Sequence, residues 1–294
     1  TTPFDCDALA KTMKASPHHS SPIYAKRNIL SSTFIPHPLL SHREFCKLAL
    51  DYLTFGNAYI ERVNARSQKP LKLNVPLAKY MRVGTDGQTY YFVNNSILKP
   101  YEYKGKDICH LIEPDINQEI YGCPEYLSAL NSVWLDESAT LFRRKYYING
   151  SHAGYIMYVN DPGANKDDVE NMRKALKNSK GPGNFRNLFL YSPNGKKDGI
   201  QIIPISEVAA SDDFWKIKDA SRFDIAAAHR VPHQLMGATP TNAGGFGDVA
   251  KAAKVFVINE LQPLQKVMLQ INDWLGEEVI RFEPYALLDE DKVQ

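Results

Sequence analysis

SHREFCKLALDYLTFGNAY, residues 41 to 59, sets the class of this chain. Ser41 followed three positions later by Glu44 forms a capping box, in which each side chain answers a backbone N–H that a helix start leaves open. Phe45, Leu48, Ala49, Tyr52 and Leu53 then fall at i, i+3, i+4, i+7 and i+8, one buried face of a helix. Gly56 ends that helix, and Tyr59 to Val63 starts a β-rich stretch. Short apolar runs follow at Leu71 to Val75, Tyr80 to Val83, Thr89 to Val93 and Ile108 to Ile112, separated by Pro, Gly and Asn. A helix that turns directly into strands makes residues 40 to 123 a mixed module of an α+β protein. Upstream, the cluster Ser16 to Pro22 with Pro36 and Pro38 predicts no long helix, so residues 1 to 39 read as a flexible or wrapping N-terminal arm.

Downstream, Pro124 is an acceptable first helical residue, and Leu127, Leu130, Trp134 and Leu141 carry a second long helix to about Tyr147. Asn149-Gly150 closes it. Residues 150 to 205 form a compact insertion: a strand over Gly154 to Val159, a helix from Lys166 to Asn178 capped by Asn165, a strand over Asn187 to Tyr191, and a strand over Ile200 to Ile203. Between 166 and 198 this insertion holds eight Lys and Arg against four Asp and Glu, a local charge of +4. Ser211 is the predicted cap of a third helix that runs to Arg230 and stops at Val231-Pro232. A loop poor in large side chains, Gly237 to Gly247, precedes an apolar-rich helix from Asp248 to Leu275, roughly 40 Å long at the standard rise. Pro263 is expected to kink it, Gly276 to end it, and Glu278 to Glu283 to return as a strand to the first module.

The 294 residues are 44% hydrophobic and 11% aromatic, enough for one large core or two or three smaller ones. Lys and Arg number 35 against 33 Asp and Glu, so a formal charge of +2 supplies no global field for a polyanion and argues against a tight, non-specific DNA binder. No apolar run approaches the length needed to cross a bilayer, and Thr1 to Cys6 lack the basic-then-apolar order of a signal peptide. The first residue is not Met, so an initial segment is expected to precede it. Cys6, Cys46, Cys109 and Cys123 lack C-x-x-C spacing and read as reduced, small apolar residues. His110, Glu113 and Asp115 have a spacing that would bring two metal ligands together, which leaves a metal-dependent nucleic-acid enzyme as an alternative. His110, however, stands in the apolar run Cys109 to Ile112 and reads better as a satisfied, partly buried histidine. There is no G-x-S-x-G, and Gly195-Lys196-Lys197 lacks the earlier glycine and the hydroxyl residue of a phosphate loop.

Four segments in order carry a resemblance: Leu53-Thr-Phe-Gly-Asn-Ala-Tyr59; Asp107-Ile-Cys-His-Leu-Ile112 with Tyr121-Gly122 and Pro124; Phe142 through Asn149-Gly150 before a strand; and Arg230-Val-Pro-His-Gln-Leu-Met-Gly237 with Asn242 and Phe246 beyond. Together they span about residues 41 to 283, and the chain resembles the portal proteins of tailed bacteriophages, specifically the PBSX type of contractile-tailed phages. The resemblance implies a wing over residues 40 to 123, paired stem helices at 124 to 149 and 206 to 231, and a clip at 150 to 205. It also implies a tunnel loop at 232 to 247, a long kinked helix at 248 to 276, and a strand and tail at 277 to 294 that return to the wing. Only 11 residues follow Glu283, so the helical crown of many family members is expected to be absent, cut off or disordered. The implied function is structural, with no catalytic site and no cofactor or metal: a homo-oligomeric ring, twelve subunits in the virion, through which double-stranded DNA is packaged and ejected. The implied partners are a terminase motor, which supplies the energy, together with head-completion, capsid and scaffold proteins, and no membrane. The implied location is the capsid portal vertex of the virion, and the host cytoplasm during assembly.

A duct must surround DNA without gripping it, because phosphate contacts by Lys and Arg add up around a ring. Thr239, Thr241, Asn242, Gly244, Gly245 and Phe246 in the tunnel loop offer weak, sequence-blind contacts, the glycines let the loop shift, and Lys251 and Lys254 follow within phosphate reach. Phe214, Trp215 and Phe223, with Ala226, Ala227 and Ala228 allowing close approach, are the candidate contacts between stems of neighbouring subunits. Arg173, Lys174, Lys177 and Lys180 are the candidate docking residues of the clip. An adaptor ring without DNA passage shares this composition but has no need of a flexible loop between two long helices.

Overall fold

The computed structural model describes residues 2–94, 99–148, 155–159, 170–171, 174, 200–204, 210–236 and 249–285. The chain divides into two compact units, residues 1–134 with 222–294, and residues 135–221.

In the first unit, α1 (Cys6–Thr12) and α2 (Pro17–Thr33) open the chain, followed by β1 (Phe34–Ile35) and α3 (His42–Phe55). The expectation that residues 1 to 39 hold no long helix is corrected by the 17 residues of α2. Ser16 caps α2 by accepting from the His18 N–H, and Pro17 sits in the first turn, where a missing N–H costs nothing. Pro22 removes one hydrogen bond of the second turn, a loss offset by burial of Ile23 and Leu30. Helix α3 is as predicted: the Ser41 hydroxyl accepts from the Glu44 N–H at 3.3 Å, and Gly56 ends it in the left-handed conformation at φ 64°.

Strands β2 (Asn57–Asn64), β3 (Pro70–Asn74) and β7 (Ile108–Ile112) form an antiparallel sheet in the order β3-β2-β7, with Tyr59 opposite His110. Strands β4 (Met81–Val83), β5 (Tyr90–Phe92) and β6 (Tyr101–Tyr103) form a second antiparallel sheet. Of these only β6 escaped the sequence reading, since three residues are too few to show a period. Strand β2 is buried on both faces, so its alternation feeds two cores. Ala58 and Ile60 join Phe45, Leu48 and Tyr52 of α3, together with Leu111 and Met268. Tyr59 faces the other way, into a cluster with Leu9, Ile23, Phe55, Met81 and Tyr126.

The segments that carried the resemblance meet at one joint. The Asn57 amide donates to the carbonyls of Phe55 and Gly122, both at 2.8 Å, while its oxygen accepts from the Gly122 N–H and from His110 Nε2, both at 2.9 Å. Gly122 lies so close to Gly56 that a Cβ on it would stand 2.0 Å from the Gly56 carbonyl oxygen. The two glycines allow the backbones to touch, and Asn57 supplies the hydrogen bonds that hold them there.

Helix α4 (Leu130–Ile148) follows a 3-10 turn at Glu125–Ala129, and α5 (Ala210–His229) begins one residue before Ser211, which therefore lies inside the helix instead of capping it. Arg230, at φ 53°, ends α5. Val133 of α4 packs with Ile225 of α5, and the Ser132 hydroxyl donates to Asp224 at 3.0 Å. The expected long helix is observed as α6 (Val249–Phe256), a π-helical turn at Val257–Leu261, and α7 (Gln262–Leu275), which Gly276 closes at φ 73°. The widened turn lies immediately ahead of Pro263, where the expected kink is replaced by a change of helical pitch. Strand β10 (Arg281–Phe282) pairs with β1, so the returning strand meets Phe34–Ile35 instead of the strands of residues 40 to 123.

In the second unit, Lys218 of α5 donates to Asp136 of α4 at 3.0 Å and to the Thr140 hydroxyl at 2.8 Å. Strands β8 (Tyr155–Val159) and β9 (Ile200–Pro204) pair antiparallel with Met157 opposite Ile202, as predicted for the outer strands of the insertion. The expected helix over Lys166 to Asn178, apart from isolated positions, and the strand over Asn187 to Tyr191 lie outside the described residues. Among the described residues no helix is long and apolar enough to cross a membrane.

Substituting Asn57→Ala leaves a buried N–H and carbonyl of Gly122 and the His110 ring without partners. We expect a loss of about 1–3 kcal/mol in unfolding free energy, read from the midpoint of a urea titration, with the slope unchanged.

Candidate functional site: the charged junction below two long helices

Four charged residues, far apart in sequence, close into an alternating ring in the first unit. Lys26 of α2 reaches Glu260 at 2.6 Å and Glu125 at 3.3 Å; Arg230 reaches Glu260 at 2.7 Å through Nε and also contacts Glu125. Lys26 is 3% exposed and Glu260 7%. Charges taken this far from water persist only when each is paired, and two cations alternating with two carboxylates leave no residual charge. Local structure aims each one: the left-handed turn at Arg230, the 3-10 turn that starts at Glu125, and the π turn that holds Glu260.

Beside this ring, the Tyr52 hydroxyl donates to Glu113 at 2.6 Å; burial raises the Glu113 pKa, which this hydrogen bond partly offsets. His19 and His229 meet at 2.9 Å, and the His19 ring stands edge-on to Tyr126 with centroids 4.5 Å apart. His19 Nε2 is buried without a partner, which assigns the shared proton to its Nδ1 and the acceptor role to His229 Nε2, because an orphaned acceptor costs less than an orphaned donor. Burial lowers the His19 pKa to about 4, and burial together with His19, Lys26 and Arg230 lowers that of His229 to about 3, so both rings are neutral. A cavity of about 20 Å³, room for a single water, lies among Lys26, Tyr52, Glu113, Glu125 and His229. Every charge here is answered by a neighbour, so the arrangement is a mechanical clamp and presents no activated nucleophile or free base.

The model of the family described as phage portal protein matches residues 26–294. The probable portal protein of Escherichia phage P2 is 56% identical over 285 residues, covering 97% of this chain and 83% of that protein. The chain belongs to the phage portal protein family. The probable portal protein of Haemophilus phage HP1 is 35% identical over 273 residues, 91% of this chain and 79% of that one. Among solved structures, the neck of a native gene transfer agent particle, computed with C12 symmetry, covers 99% of this chain and 85% of its own, with a TM-score of 0.70 at 20% identity. An HK97 family portal protein from Corynebacterium diphtheriae covers 94% of each chain with a TM-score of 0.62 at 15% identity. These two share the fold, and the α+β architecture of the portal family is the one observed.

Of the residues singled out from the sequence, the tunnel-loop positions Thr239, Thr241, Asn242, Gly244, Gly245 and Phe246 lie outside the described residues. So do Arg173, Lys177 and Lys180 of the expected clip, while Lys174 is helical and exposed. Phe214 and Trp215 fall in the first turns of α5, and Phe223 is 60% exposed on the same helix. Lys251 and Lys254 lie exposed on α6. The alternative metal set is dispersed: the His110 ring donates to Asn57 and stacks on Tyr59 at 4.1 Å, Glu113 accepts from Tyr52, and Asp115 accepts from the Asn117 N–H at 2.8 Å. Burial takes the His110 pKa down to about 3, which fits the satisfied-histidine reading. Among the described residues no group of His, Cys, Asp and Glu is placed to hold a metal ion.

Sequence reasoning missed Lys26, Glu125, Arg230 and Glu260 as a set, since none has a local signal. The one available hint was Lys26 within an otherwise apolar helical face.

Lys26→Met leaves Glu125 and Glu260 sharing one guanidinium. We expect a loss of about 3–5 kcal/mol, seen as a lowered thermal midpoint. The histidine pair sets a second expectation. Both folded pKa values lie below the ordinary 6.5, so the unfolded chain takes up protons first, and stability is full above pH 6.5 and declines from there to about pH 4. The decline should approach about 1.4 kcal/mol per pH unit per histidine and be shallower in the His19→Gln/His229→Gln variant, measured by denaturant titrations across that range.

Proposed function

We propose that this portal family member assembles with copies of itself into a ring at one vertex of the capsid, through which double-stranded DNA passes in both packaging and ejection. The observation that carries the reading is how the segment between Arg230 and Glu260 is mounted. Both of its ends enter the same buried ion network, so residues 237–248 hang from a fixed frame. A bore-lining loop needs this combination: anchored ends, and a tip of Gly, Ala, Thr and Asn that yields as the duplex moves. Thr239, Thr241, Asn242, Gly244, Gly245 and Phe246 supply that tip, with Lys251 and Lys254 offering brief phosphate contacts from α6.

The ring of identical subunits, probable twelvefold symmetry aside, rests on the family assignment and on the symmetry named for the gene transfer agent necks. Phe223 supplies part of the contact between subunits, with Phe214 and Trp215 beside it on α5. The insertion at 150–205 acts as the clip, where Arg173, Lys174, Lys177 and Lys180 meet the terminase motor or a head-completion protein through complementary charge. The subunit's role is structural, and the work of moving DNA comes from the motor.

Negative-stain microscopy of the purified chain should show rings with an axial hole, and a monomer under all conditions would overturn the reading. Gly244→Pro should leave ring formation intact and reduce packaged DNA per particle. Loss of rings in that variant would place the loop at a subunit contact instead of the bore. Charge reversal at Lys174 and Lys177 should weaken motor binding several-fold, and unchanged binding would remove those two from the docking set.

A further inference from the structure

A closed ring of one repeated chain needs two different surfaces on each copy, one to receive the neighbour behind and one to meet the neighbour ahead. Helices α4 and α5 carry such a pair. Their facing sides are used up within the chain: Val133 against Ile225 and Ser132 against Asp224 in one unit, Asp136 and Thr140 against Lys218 in the other. The sides turned away are the unusual ones. On α4, Leu135, Leu141, Phe142 and Ile148 are each 39% to 49% exposed, and the seven-residue intervals from 135 to 142 and from 141 to 148 repeat along one side of the helix. On α5, Phe223 is exposed together with the small residue Ala227 one turn on. A row of large apolar side chains left on a helix surface marks a contact with another molecule.

Charge gives the two surfaces opposite characters. Residues 141 to 148 of α4 hold Arg143, Arg144 and Lys145 with no acidic residue. Residues 210 to 224 of α5 hold Asp212, Asp213, Asp219 and Asp224, while of its three cations Lys218 is spent inward on Asp136. Two identical basic faces would repel each other, whereas a basic apolar face fits an acidic one.

We infer that the outward side of α4 in one copy docks on the outward side of α5 in the next, with Leu141 and Phe142 meeting Phe223 and Ala227 across the seam. This rests on the ring reading and supplies the surface that pairs with α5, which the sequence did not indicate.

A mixing experiment separates the two. Leu141→Glu/Phe142→Glu blocks the α4 side and leaves α5 intact; Phe223→Glu does the converse. Each variant alone should be monomeric by analytical ultracentrifugation, and an equimolar mixture should form a dimer of twice the 33.2 kDa chain mass that grows no further. Far-UV circular dichroism and thermal midpoint matching the wild type show that each variant folds. Should one fail to fold, Leu141→Ser/Phe142→Ser and Phe223→Ser replace the pair, with at least a tenfold rise in the concentration for half-assembly expected. Rings from either Glu variant alone, a mixture that stays monomeric, or dimers of Phe223→Glu by itself would each overturn this pairing while the wild-type ring stands. A wild-type chain that never forms rings would instead remove the ring reading itself.

Discussion

Burial of Lys26 against Glu260 is the constraint on which the arrangement of this chain depends. Each of these ions alone would cost several kcal/mol to withdraw from water, and their attraction compensates only if the geometry is close and the remaining valences are filled. Glu125 and Arg230 fill them, from the half-exposed side where solvent weakens their own contribution. The network is therefore cooperative in a structural sense. Helix α2, the root of α4, the end of α5 and the turn between α6 and α7 meet at one point, and displacing any of them exposes an unpaired charge in the interior.

The π turn at Val257–Leu261 shows how the long helix reaches that point. Its buried positions, Phe256, Glu260, Leu264 and Met268, are spaced by four. On a 3.6-residue helix each such step overshoots a full turn by about 40°, and three steps would swing the last residue well off the face of the first. A wider turn absorbs part of this excess and brings both Glu260 and Leu261 inward. Pro263 favours the same solution, because it has no N–H to give and the regular carbonyl ahead of it would clash. The residue that announced a bend in the sequence thus serves to aim a carboxylate at Lys26 and Arg230.

What was legible in the sequence was whatever repeats locally. The capping box at Ser41, the period of α3, the runs that became β2, β3, β4, β5 and β7, and the glycines that end α3 and α7 were all readable because the signal lies within a turn or two of the residue it concerns. Helix α2 was hidden by its prolines: a rule about helix interiors was applied to Pro17, which lies in a first turn. Asn57, Gly56 and Gly122 stood out only as parts of family motifs, and their reason emerged when the strands brought residue 57 against residue 122. The ion network had no local signature at all, since its members are separated by up to 234 positions and each looks like an ordinary surface charge until the fold assembles them.

That assembly bears on how a nearly neutral protein can surround a polyanion. A formal charge of +2 overstates what is available to phosphates, because Lys26 and Arg230 are committed to Glu125 and Glu260, Lys218 to Asp136, and Arg62 to Asp107. Cations spent inside the subunit hold its shape and release no counterions from DNA, so they add nothing to the grip that repetition around a ring would multiply. For a conduit of the kind proposed, the same economy that makes the frame rigid also keeps the bore slippery: the fold draws its stiffness from buried charge pairs and leaves small, neutral side chains to face the moving duplex.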